Sequence, residues 1–478
     1  MTAMTLEEVA EAVGGTLHGA DPAAVMSSGA VIDSRAVRPG ALFAAIAGEH
    51  VDGHDYAEAA VAAGAVAVLA SRPVDAPHVR VDDSTRALGY LATAARRRLA
   101  STAVVGLTGS QGKTSTKDLL AQLLGGLGPV VAPPGSLNNE LGVPLTVLAA
   151  EKSTAALVVE MGARGRGHIA YLCAIAAPTV GLVLNVGTAH VGEFGSQELI
   201  AQAKGELVEA LPANGIAVLN ADDPLVSAMA ARTAARVVTF GESPDADVRV
   251  DGLRLDDTGC PAFTLTASPR AQAAGAPRDR APVTMRMLGA HQAANGAAAA
   301  AVALALGVPL DEVARRLSAA APVSAWRMER HVRADGVVVI NDAYNASPDA
   351  MRAALQTLAV LGRAPGAGRT VAVLGEMREL GTSALAEHDA IGRLAVRLDI
   401  SQLVVVGEAA RALHLGALLE GSWDRESVLV PDVDAAVEFL ADGLQPGDVV
   451  LVKASRAARL ERVAEALLAS GVAESGTR

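Results

Sequence analysis

Lysine is scarce in this chain. Of 478 residues only five are lysine, against 35 arginines, the 40 basic residues less those five. Cysteine is nearly absent too. Cys173 and Cys260 cannot build a disulfide framework, which fits a reducing cytoplasm. There is no block of basic residues, and the net charge is −12 with a pI near 5.4. That argues against nucleic acid as the main partner. The first thirteen residues carry three glutamates and no basic residue, so they do not read as a secretory signal. A long apolar run is also missing. Residues 293–310 lack charge, but they are mostly alanine and contain Asn295, Gly296, Gly307 and Pro309. Alanine buries little area, so the segment reads as a buried helix and not as a membrane span.

Lysine is a compact point charge that can sit against a phosphate, or lose its proton and react; arginine is larger, planar and always charged. A chain that writes arginine almost everywhere keeps lysine where arginine would fail. One of the five is Lys113, in Thr108-Gly109-Ser110-Gln111-Gly112-Lys113-Thr114-Ser115. Residues 102–107 before it read as a buried strand and residues 116–124 after it as a helix. A glycine loop between strand and helix turns backbone N–H groups toward an anion. Lys113 would reach the β/γ-phosphates of ATP, and the Thr114 hydroxyl would hold Mg²⁺. The strict pattern places a glycine where Leu107 stands, so this is a Thr-Gly-x-x-Gly-Lys-Thr variant.

The length predicts two or three domains. Residues 1–83 read as a small α/β unit. A connecting helix over 84–99 follows, with Ser84 as its N-cap. From the phosphate loop onward strands alternate with helices, as in a parallel sheet covered on both faces. Residues 248–255 alternate like an antiparallel strand, and 271–281 read as a mobile loop. After a linker at 320–324, βα units resume. The expected fold is therefore α/β in three domains: 1–83, 84–322 and 323–478.

Ligands bind at strand ends in an open parallel sheet. Glu160 ends one predicted strand, and His190 follows the next in Gly187-Thr188-Ala189-His190. A carboxylate and an imidazole beside a phosphate loop can share a divalent cation. Two readings stay open here: metal ligation, or Glu160 capping the following helix with His190 a solvated loop residue. Lys204 and Lys453 are further rare lysines, the latter at the end of the last strand. Asp342-Ala343-Tyr344-Asn345 spends one of four tyrosines after a strand, and Trp326-Arg327 opens the third domain with one of two tryptophans. Trp326 reads equally well as a hydrophobic anchor for the linker. Gly165-Arg166-Gly167-His168-Ile169-Ala170 mimics a dinucleotide fingerprint, but no acid ends the next strand, which argues against NAD. No lysine follows an asparagine, so the usual guanine reader is impossible.

Together these residues resemble the Mur ligases, ATP-dependent amide-forming enzymes of peptidoglycan synthesis, over essentially the whole chain. The loop 108–114 is similar to the family's phosphate loop, and Gly187 to His190 with Phe194 to its His motif. Residues 288–295 resemble its adenine-side motif, with Gln292 where asparagine is usual. Three stretches resemble the dipeptide-adding branch: 135–144, 342–346 and 451–456, the last with Ala454 where glycine is common. The signature Asp-Asn-Pro-Arg of the branch that adds the third residue is absent.

The resemblance implies two substrates, a UDP-N-acetylmuramoyl-tripeptide and D-Ala-D-Ala, joined through an acyl phosphate by a monomeric chain with ATP and Mg²⁺. It implies catalytic Lys113, Glu160, His190 and Lys204, with Lys204 carbamylated and Thr114, Glu160, His190 and Lys204 around the metal. Besides the loop 109–115, it places Asn295, Arg327, Asp342, Tyr344 and Asn345 on ATP. Ser34, Arg35, Asn138 and Asn139 fall to the UDP substrate, and Lys453, Ser455 and Arg456 to the D-Ala-D-Ala side. Two other readings are a third-residue-adding ligase and a nucleotide-dependent scaffold without catalysis. The set Lys113, Glu160, His190 and Lys204 counts against the scaffold.

Overall fold

A computed structural model describes residues 3–48, 50–187, 191–272, 279–422, 425–441 and 443–470. Three α/β layers follow one another along the chain. The first is a five-stranded sheet in the order Thr16–His18, His78–Arg80, Ala67–Ala70, Leu42–Ala44, Ala30–Val31. Only its first pairing is antiparallel. The helix Ser84–Arg97 then leads into the central sheet. Its N-cap is Asp83, whose carboxylate accepts from the N–H groups of Thr85 and Arg86. This corrects the expectation for Ser84, which is buried instead. An anionic cap also complements the helix dipole, which a serine would not do.

The central sheet has nine strands, and Ala103–Thr108 lies inside it between Ala156–Glu160 and Val180–Val183, parallel to both. After this strand the chain first adds Val130–Val131 and Ala156–Glu160 on one side and then crosses over to add Val180–Val183 on the other, which opens a crevice at its C-terminal end. Val248–Leu255 pairs antiparallel with Pro261–Ala267, as its alternation predicts. Asp279–Thr284 adds a further antiparallel edge strand. Part of the expected loop 271–281 is thus strand, and residues 273–278 lie outside those described. The alanine-rich helix His291–Ala305 is buried against the phosphate-loop helix Lys113–Leu124 and the sheet. No described helix is long and apolar enough to cross a membrane.

The third sheet runs Glu329–Val332, Val338–Asn341, Val449–Lys453, Thr370–Leu374, Gln402–Val406, Ser427–Val430, parallel after its first pairing. Two glycines set how closely this layer approaches the central one. A side chain on Gly192 would collide with the backbone of Leu380 and Gly381, and one on Gly187 would meet Asp349 Oδ2 at 2.5 Å. Both cysteines are buried and free.

Candidate active site

The strand Ala103–Thr108 ends in the loop that the sequence singled out. Gly112 takes φ +79°, a left-handed conformation that favours glycine, and the helix starts at Lys113. A Cβ at Gly112 would lie 2.5 Å from Asn295 Oδ1, so the alanine-rich helix presses directly on the loop. Asn185 ties the loop down from the neighbouring strand end: its Oδ1 accepts from the Gln111 N–H and its Nδ2 donates to Gln111 O. Ser110 Oγ accepts from the Gly187 N–H. Lys113 folds back so that Nζ donates to Gly109 O at 2.7 Å. Burial pushes its pKa down, the nearby Glu160 carboxylate opposes that shift, and Arg327 adds to it.

Glu160 is almost fully buried and faces this loop. Its Oε2 accepts from Thr114 Oγ1 at 3.0 Å, and its Oε1 accepts from Ser136 Oγ at 2.7 Å and Asn138 Nδ2 at 2.8 Å. The capping reading of Glu160 fails. The following helix His168–Ala176 has no side-chain cap, and Glu206 takes the N–H groups of Gly167 and Ala170 instead. Asn138 is held on Glu160. Asn139 is occupied locally: its Oδ1 accepts from the N–H groups of Leu141 and Gly142. Ser34 and Arg35 occupy a turn of the first layer, where Arg35 pairs with Asp33 at 2.7 Å and holds that carboxyl down to about 2.

A cavity of about 270 Å³ opens over the loop, walled by the central and third layers. The third layer contributes Arg327, Asp342, Tyr344, Asn345 and Lys453. Arg327 lies over the Tyr344 ring at 4.0 Å and donates from Nη2 to Thr114 Oγ1 at 3.1 Å, while its Nε–H is buried without a partner. Lys453 is buried; its Nζ donates to Asp342 Oδ2 at 2.7 Å and Asn345 O at 2.8 Å. Asp342 Oδ1 accepts from the Met328 N–H.

The expected acceptor trio of Lys453, Ser455 and Arg456 is therefore divided. Lys453 shares the cavity with the phosphate loop. Ser455 Oγ accepts from the Arg378 N–H. Arg456 covers Trp326 at 4.3 Å and pairs with Glu461 at 2.6 Å. Lys204 is buried on the helix Gln197–Glu209, and its pKa falls well below the ordinary lysine value through burial first and Lys113 second. His190 lies outside the described residues.

Sequence reasoning passed over several lining groups. Ser136 and His291 lie inside the stretches 135–144 and 288–295 without a role assigned to them, and Arg378 and Glu379 reach in from the third layer. The His291 pKa is pushed down by burial, and its Nδ1 is buried without a partner. The donor set suits a hard cation. Glu160 and Thr114 bring a carboxylate and a hydroxyl oxygen together at the foot of the phosphate loop, and Mg²⁺ wants oxygen ligands.

Three family models match the chain: the Mur ligase middle domain over residues 107–303, the Mur ligase glutamate ligase domain over 326–456, and the Mur ligase family catalytic domain over 28–96. The chain belongs to the Mur ligase family. Among Mur ligases it is 50% identical to the UDP-N-acetylmuramoyl-tripeptide–D-alanyl-D-alanine ligase of Mycobacterium tuberculosis, over 98% of both chains. A crystal structure of MurF from Acinetobacter baumannii superposes with a TM-score of 0.85 at 31% identity, covering 98% of this Mur ligase and 99% of that chain. MurF from Thermotoga maritima in complex with ADP gives 0.78 at 31% identity, over 94% and 98%.

Proposed function

We propose that this Mur ligase joins D-alanyl-D-alanine to UDP-N-acetylmuramoyl-tripeptide at the expense of ATP, in the cytoplasm. The observation that carries this reading is the 50% identity, over 98% of both chains, to a ligase of that name. The cavity shared by the phosphate loop and the third layer supports it chemically.

A carboxylate is a poor acyl donor at neutral pH. Transfer of the ATP γ-phosphoryl to the peptide carboxylate yields an acyl phosphate and ADP. The free amine of D-Ala-D-Ala then attacks the acyl carbon, and phosphate leaves. The loop N–H groups and Lys113 face the charge that develops on the moving phosphoryl. Asn295 and the Tyr344–Asn345 turn hold the adenosine side, with Arg327 and Asp342 toward ribose and phosphate. Arg327 and Lys453 come from the third layer, so the cation set is complete only when that layer is seated; seating it also excludes water from the acyl phosphate. Ser34 and Arg35 serve the UDP end. The units 1–83, 84–322 and 323–478 then bind UDP substrate, bind ATP and close the site.

Mg²⁺, when bound, screens the phosphates, and Thr114 and Glu160 would hold it together with His190 and Lys204. Lys204 is suited to this only as an anion. A neutral amine adds to CO₂ and releases a proton, giving an anionic carbamate whose oxygens replace the ammonium charge beside Lys113.

The acceptor decides between this reading and a third-residue-adding ligase. D-Ala-D-Ala should drive phosphate release from ATP with UDP-N-acetylmuramoyl-tripeptide, and diaminopimelate or lysine should not. Equal or faster release with a single amino acid would move the assignment to the other branch. No release with any acceptor would leave the scaffold.

A further inference from the structure

Lys117 is a rare lysine that the reaction as described does not use. It lies one turn after Lys113 on the phosphate-loop helix and is only 2% exposed. An ammonium group has three N–H donors. All three are engaged: Nζ reaches Pro133 O at 2.5 Å, Gly135 O at 2.8 Å and Asp118 Oδ1 at 3.1 Å. Arginine would not fit, because its planar fork cannot meet three acceptors around one point.

Each partner leads back to the reacting phosphate. Pro133 and Gly135 begin the loop whose next residues, Ser136 and Asn138, grip Glu160 Oε1. Asp118 is buried as well, and its Oδ2 accepts from the Ser324 N–H at 3.0 Å. Ser324 is three residues before Arg327, which donates to Thr114 Oγ1. One turn further along the helix, Gln122 clamps the same linker through both the N–H and the carbonyl of Ala321, at 3.1 Å each. Thr114, at the start of this helix, thus meets Glu160 on one side and Arg327 on the other. Lys117 and Asp118 set where each of those two groups stands.

We propose that Lys117 and Asp118 form a positioning pair for phosphoryl transfer. Lys117 places Glu160 through the 133–138 loop, and Asp118 places Arg327 through the linker. The pair touches no substrate. Its effect falls on the reacting geometry and not on nucleotide capture, which the loop N–H groups and Lys113 provide. The proposal rests on the phosphoryl-transfer reading above, and the test separates the two.

The test uses the full chain with Lys117→Met, which keeps the stem and removes the ammonium, and Lys117→Arg, which keeps the charge with the wrong donor geometry. In Lys117→Met kcat should fall about 100-fold, and in Lys117→Arg about tenfold, since a displacement of an ångström costs that much. The Kd of a non-hydrolysable ATP analogue, by calorimetry, should stay within about threefold of the parent, the pattern of an interaction that acts on the transition state. A purely structural lysine would instead lower the thermal midpoint and leave kcat per folded molecule unchanged. That result, or a loss confined to nucleotide Kd, overturns the proposal. If Lys117→Met does not fold, Lys117→Arg and the isosteric Asp118→Asn decide by the same criterion. Turnover is compared with whichever acceptor the parent uses, so a parent inactive with D-Ala-D-Ala overturns the acceptor reading without touching this comparison.

Discussion

Lys113→Arg should give a folded protein with less than about a tenth of the parent kcat, a barrier raised by more than roughly 1.4 kcal/mol. The reason is space. Lys113 turns back on its own loop to reach Gly109 O, and that loop is pinned by Asn185 and closed on its far side by Asn295. A guanidinium is larger and planar, and its donors spread outward where the phosphate must lie. Arg327 already places one guanidinium on Thr114, so a second would crowd the same corner. The fold should not suffer, because arginine can extend toward the open cavity when no nucleotide is present. Far-ultraviolet circular dichroism and phosphate release, measured on the same sample, check both halves. Retention of more than about a tenth of kcat would remove Lys113 from the phosphate site.

Lys204→Ala should be nearly inactive and should regain part of its activity with added short carboxylic acids. Burial and the proximity of Lys113 both press Lys204 toward its neutral form. A second positive charge there would oppose metal binding. A neutral amine that captures CO₂ gives an oxygen ligand in its place, and a small carboxylate diffusing into the space left by the truncated side chain can imitate it. Rescue should follow the size of the acid, with formate and acetate ahead of longer chains. Full activity in the variant, or a dead variant that no carboxylate restores, would sink the carbamate.

The parts of this site legible in the sequence are those whose cause is local. A glycine between a strand and a helix, followed by Lys113 and Thr114, needs only its neighbours in the chain to be read. The alternation over 248–255 gave an antiparallel strand for the same reason. Asp279–Thr284 was lost because its alanine, proline and charge suggest a loop, while its pairing with Pro261–Ala267 is set by a distant segment. The hydrogen bond from Asn138 to Glu160 was not legible either, because the two stand 22 residues apart. Lys117 was hardest to see. Its partners are the carbonyls of Pro133 and Gly135, and a backbone carbonyl carries no side-chain signature.

The bare contact between Gly192 and Gly381 gives the protein a mechanical adjustment of its own. Gly381 takes φ +56°, whereas no such left-handed angle constrains Gly192, so Gly192→Ala carries no backbone strain. It adds only a methyl group, and that methyl is a wedge between two layers. The seated arrangement should then lose population, and any ligand that needs it should bind more weakly by the fraction lost. A ligand held by the central layer alone binds as before. The shift in apparent ATP affinity between Gly192→Ala and the parent would therefore measure how much of the nucleotide's grip comes from the layer that closes over it.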